Sequence, residues 1–157
     1  MKDSLRVGFS FGFTSGTITT LGLIVGLHSG THSRVAVLSG LLTIAIADAF
    51  SDAMGIHVSE ESANKPLREI WESTISTFLS KFVISLTFAV PIFIFELSTA
   101  IIAAIVWGFC LLAVFSFLMA KRQNVQPWKV VGEHLLIGSV TIFITHYLGH
   151  FCQQFLG

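Results

Sequence analysis

The chain has 157 residues, of which 53% are hydrophobic and only 11% charged, with mean hydropathy +0.80 and no formal net charge. A soluble domain carries about 25% charged residues, so this composition belongs in a bilayer. It excludes a basic nucleic-acid binder, and its length allows five or six spans of about 20 residues but no separate soluble domain.

The first element, "VGFSFGFTSGTITTLGLIVGLHSG", spaces glycines by four in two registers, Gly8, Gly12 and Gly16, then Gly22, Gly26 and Gly30. In water each interior glycine costs about 1 kcal/mol of helix stability relative to alanine. In lipid the same spacing lets two helix backbones approach closely. The apolar run is too long for a signal peptide and lacks a cleavage site, so the whole chain is expected to be the mature protein.

Hydrophobic runs between charge and turn clusters predict an all-α membrane protein with five spans, near 6–28, 35–57, 74–95, 98–119 and 130–152. The chain is thus a single transmembrane domain, 1–157, with a short connection at 58–73. The second span carries Asp48 near its middle and Asp52 one turn on, which puts both carboxylates on one helix stripe. Acids at bilayer depth are expensive and functional by default. Together with Thr14 and Ser15 of the first span they form a set of oxygen donors suited to a divalent cation, and two carboxylates in one site can exchange metal for protons. Lys81, about two turns into the third span, lies at the depth of Asp52 and is either a structural ion-pair partner or a counter-charge in the path. Asp48 has no evident cationic partner at its own depth.

At the end of the second span His57, Glu60 and Glu61 are positioned to collect hydrated cations, with Glu69, Glu72, Glu133 and His134 at neighbouring helix ends, though solvated caps look the same. Pro66 starts a helix that runs through Trp71 into the third span, and Pro91 is expected to kink that span. Histidines at i,i+4, His28 with His32 and His146 with His150, stand at the other face as membrane anchors or metal chelators. Cys110 and Cys152 stand alone in apolar surroundings and are expected to be buried small hydrophobes. Placing the N-terminus and the two longer loops inside puts Lys2, Arg6, Lys65, Arg68, Lys121, Arg122 and Lys129 in the cytoplasm against Arg34 outside. The positive-inside rule then predicts N-in, C-out topology, with Trp71 and Trp128 at inner interfaces, in a cell or vacuolar-type membrane. No catalytic motif is present, and an enzyme is not expected.

In "FTSGTITTLGLIVGLHSG", "LSGLLTIAIADAFSDAMGIHVSEES", "TFLSKFVISLTFAVPIFIF" and "VVGEHLLIGSVTIFITHYLGHF" the chain resembles the vacuolar iron transporter family over nearly its whole length. That resemblance implies a homodimer packed through the first span, with Gly8, Gly12 and Gly16 in the seam. It also implies export of Fe²⁺ or Mn²⁺ from the cytoplasm against protons, with no permanently bound cofactor. The chain departs from the family pattern at Ser15, where the family has aspartate, at Asp52, where it has methionine, and at Ile56. The long Glu-rich cytoplasmic helices are missing. Two further readings stay open: a proton or monovalent-cation coupled transporter in which Lys81 is displaced from Asp52, and a non-transporting assembly subunit.

Overall fold

The computed structural model describes residues 3–156, and among these the only regular elements are helices. They are α1 (Asp3–Thr31), α2 (Arg34–Ser62), α3 (Leu67–Thr87), α4 (Ala89–Ile94), α5 (Leu97–Arg122) and α6 (Pro127–Leu156). Five spans are long and apolar enough to cross a membrane, with α3 and α4 forming one of them, Leu67–Ile94. At 1.5 Å per residue a 29-residue helix is about 43 Å long, enough for a bilayer with its headgroups, and the helices run several residues beyond the expected apolar spans. Lys2 lies outside the described residues.

The connections are tight and locally specified. Ser33 caps α2 by accepting from Ala36 N at 3.3 Å. His32, Asn64 and Asn124 take positive φ in three of the connections, a conformation that Asn and His tolerate better than most residues. Pro66 precedes α3 as expected, since its missing N–H costs nothing there. The expected kink is displaced toward the start of the helix: α3 stops at Thr87 and the chain restarts at Ala89, four to two residues before Pro91. The reason is that a proline acts on the carbonyl four residues earlier, here that of Thr87, which it cannot bond and with which its ring collides.

α1 is the central helix and packs against α2, α3, α5 and α6. The larger apolar core, including Leu21, Ile24, Leu41, Phe88 and Ile92, lies in the half of the bundle remote from the N-terminus. The other half is filled by small and polar groups, with Ser73, Thr77, Ser80 and Ser85 of α3 all buried.

The first glycine register packs within the subunit, which corrects its assignment to a dimer seam. A Cβ on Gly8 would collide with the Ser73 carbonyl, one on Gly12 with the Thr77 carbonyl and Ser80 Oγ, and one on Gly16 would lie 3.2 Å from Lys81 Cα. Gly8, Gly12 and Gly16 therefore face α3 of the same chain. The second register faces α6, where a Cβ on Gly22 would lie 2.8 Å from Thr141 Cγ2 and one on Gly30 would lie 3.2 Å from the Gly149 carbonyl. Small residues signal a close approach without naming the helix that approaches.

Candidate functional site

Asp48 is fourteen residues from each end of α2, and Lys81 is fourteen residues from the start of the third span and thirteen from its end. Both therefore stand midway along their helices. The 3.6-residue repeat of α2 turns Asp48 and Asp52 to the same side, and α3 brings Lys81 between them. Lys81 is 1% exposed, yet its ammonium makes ion pairs with both carboxylates, with Asp48 Oδ2 at 2.5 Å and with Asp52 Oδ2. The earlier expectation that Asp48 has no cationic partner is corrected. A lysine stem spans several ångströms and does not confine its charge to the depth of its own Cα.

Ser15 of α1 completes the arrangement. Its hydroxyl donates to Asp52 Oδ2 at 2.6 Å and accepts from Lys81 Nζ at 3.0 Å, which closes a ring of three charge-assisted hydrogen bonds. Asp48 Oδ2 is held differently: it faces Nζ as an ion pair but at an angle that yields no hydrogen bond. Asp52 is thus locked, and Asp48 is held by charge alone. Gly16 adds a role that spacing did not reveal, because a Cβ there would lie 3.1 Å from Lys81 Cγ. Its missing side chain is the slot through which the lysine stem passes.

The formal charges sum to −1, and the two acidic side chains stay 26% and 20% exposed while the lysine is enclosed. Asp48 and Ser51 form the inner end of an open groove of about 780 Å³ between α1 and α2. The groove continues past Ala47, Thr43 and Ser39 to Ala36, near the start of α2. Ser39, Thr43 and Ser51 set hydroxyls along it between the apolar side chains of Leu23, Leu27 and Ile44, whereas the groove between α2 and α3 is lined by Phe50, Met54, Trp71 and Phe78 and contains neither aspartate.

The remaining expected residues are not drawn into the site. Among the described residues Thr14 makes no side-chain hydrogen bond, so it does not join Ser15 at the carboxylates. His57 Nδ1 is bonded to Thr74 Oγ1 at 3.0 Å and its ring stands edge-on to Trp71. Glu60 and Glu61 are two or more turns beyond Asp52 on α2, without ion pairs to the triad. Glu72 accepts from Ser4 at 2.8 Å and from Arg68 at 3.0 Å, while His134 is bonded to Ser116. The acidic and imidazole groups at that face are thus distributed among separate helix contacts. Among the described residues no three His, Cys, Asp or Glu side chains converge on one point that could hold a metal.

Comparison of the chain with protein-family models, with curated proteins and with solved structures finds no match. The chemistry of the triad is consequently the ground for any functional reading.

Proposed function

We propose that this chain is a membrane transporter that exchanges a cation for protons at the Asp48–Lys81–Asp52 triad. The observation that carries this reading is an ammonium held between two carboxylates at mid-span, with one carboxylate open to a groove that carries a line of hydroxyls. Nζ stands where an incoming cation would be coordinated, so cation binding requires the lysine to lose its proton or swing away. A neutral lysine leaves two charges of −2 in total, which a divalent cation cancels; with the cation gone, protons on Lys81 and on one aspartate restore neutrality. The balance is two protons for one divalent cation, and neutrality in both states avoids the large cost of net charge inside a bilayer.

Two carboxylates and the Ser15 hydroxyl are hard oxygen donors, which favours Mn²⁺ or Fe²⁺ over softer ions. The resemblance to vacuolar iron transporters points the same way, and to a homodimer. The orientation that fits is N-in, because Arg6, Lys65, Arg68, Lys121, Arg122 and Lys129 belong to one face. Cation would then leave the cytoplasm, and the Asp48 groove would open to the outside.

The test is flux in proteoliposomes loaded with a pH dye and supplied with Mn²⁺ or Fe²⁺. Metal movement coupled to opposite proton movement is expected, and Asp48→Asn should reduce it at least a hundredfold in a protein that remains folded. Wild-type flux in Asp48→Asn would sink the assignment. Proton movement driven by Na⁺ or K⁺ instead would select the monovalent reading, in which Lys81 swings from Asp52 without losing its proton. No flux of any of these ions would favour an assembly subunit.

A further inference from the structure

A second group of ligating side chains lies at the opposite face from the N-terminus, about three turns or more from the triad. His28 lies in the last turn of α1 and His32 just beyond it, while His146 and His150 lie in the last three turns of α6. The two helices meet there backbone to backbone. A Cβ on Gly149 would lie 2.9 Å from Gly30 N, and one on Gly30 would lie 3.2 Å from the Gly149 carbonyl. Ser29 Oγ and His146 Nδ1 are 2.7 Å apart, and Gln153 Nε2 reaches His32 Nδ1 at 3.4 Å. Two of the four imidazoles, those of His32 and His146, are thereby tied across one helix crossing.

One pair is spaced as two ligands of one ion would be, and the other is slightly wider. Ring centroids are 5.3 Å apart for His28 and His32 and 4.6 Å for His146 and His150. An ion about 2.1 Å from each nitrogen, subtending roughly 90–110°, sets two imidazole centroids about 4.5–5.2 Å apart. Positive φ at His32 turns the chain back at the helix end and keeps its ring beside that of His28. His28 Nδ1 is buried without a hydrogen-bond partner, the kind of orphaned polar atom that demands an explanation. Ser29 can accept Nδ1–H of His146, which leaves the Nε2 lone pair of that ring for an ion and fixes its orientation.

We propose that His28, His32, His146 and His150 form a site for one borderline divalent transition-metal ion, such as Zn²⁺ or Co²⁺, at the α1–α6 crossing. Imidazole suits these ions, whereas the all-oxygen triad does not select them. The rings do not yet converge on one point. Closure requires rotation of the His32 and His150 side chains, which are exposed and exchange rotamers on the ps–ns scale. Because the ion would bridge α1 and α6, it would staple the helix that carries Ser15 to the last helix of the bundle.

The site is tested on the full chain, without an affinity tag, in detergent micelles titrated with Co²⁺ and read by its visible d–d absorption, with Zn²⁺ as competitor. Saturation at one Co²⁺ per chain is expected. His32→Gln and His150→Gln, both at exposed positions, should each weaken binding at least tenfold, and Asp48→Asn should leave it within twofold. Absence of the absorption, less than a tenfold loss in either histidine variant, or loss of all binding in Asp48→Asn would each overturn the proposal. Since the readout is binding, transport can fail in the wild type while this site stands, and the reverse.

Discussion

Lys81 is the residue whose surroundings changed most between sequence and structure. A single buried pair with Asp52 would make Asp52→Asn catastrophic, because removing one partner strands the other charge at a cost of about 3–5 kcal/mol. With Asp48 on the same ammonium, either aspartate can be neutralised while the other still compensates the lysine. Asp48→Asn and Asp52→Asn should therefore each destabilise the protein modestly, by about 1–2 kcal/mol, the scale of one lost polar interaction in a group that keeps its charge balance. Of the two, Asp52→Asn should cost more, since it also removes the acceptor of Ser15. The double variant should exceed the sum of the singles by at least about 1 kcal/mol, and adding Lys81→Met should recover most of the loss. Thermal stability followed by monodispersity in mild detergent measures all four, and strict additivity would show that Lys81 is not shared.

At the scale of elements, the glycine-rich α1 divides its work between α3 and α6. Gly12→Leu would drive a branched side chain into the Thr77 carbonyl, backbone that cannot step aside, and should cost more than the 1–3 kcal/mol typical of overpacking. Gly55→Leu is the matched control, for nothing lies within 4 Å of a Cβ there, and its cost should stay within about 0.5 kcal/mol. Both proteins should be compared over a tenfold range of concentration. A Gly12→Leu defect that appears only where wild type dissociates would return the register to a subunit interface; a defect independent of concentration fits its contact with α3. The five spans, the Pro66 start and the stripe bearing Asp48 and Asp52 were legible in the sequence because hydropathy and the 3.6-residue repeat are properties of one helix. The partner of each glycine register was not, since a small residue records only that something comes close. Lys81 was placed at the right depth by counting, but its reach to Asp48 depends on the Gly16 slot and on the rotation of α3, which no single helix encodes.

For the whole molecule the open question is whether water or lipid fills the groove that leads to Asp48. An exposed carboxylate facing hydrocarbon would be costly, whereas a wetted groove lets it keep its charge and supplies the route by which a cation reaches it. The groove floor, Ser39, Thr43, Ala47 and Ser51, recurs at every fourth residue of α2 and is exposed along its length. The adjoining flank of α2, with Phe50 and Met54, turns to α3 and lines an apolar groove dressed for lipid. Cys110 and Cys152 are exposed rather than buried as their apolar surroundings suggested, so cysteines introduced singly at Thr43 and Ala47, in a chain with both replaced by alanine, should react with a small membrane-impermeant thiol reagent. A cysteine at Phe50 should react at least tenfold more slowly, because the thiolate that attacks forms only where water reaches it. Under the N-in orientation, reagent added outside sealed vesicles holding right-side-out protein should label Ala47→Cys, and Mn²⁺ should slow that labelling by occupying the site one residue away. Equal, slow labelling of Ala47→Cys and Phe50→Cys would mean a lipid-filled groove and would close this route to the triad. Labelling of Ala47→Cys only from the inner compartment would invert the topology and with it the direction of transport.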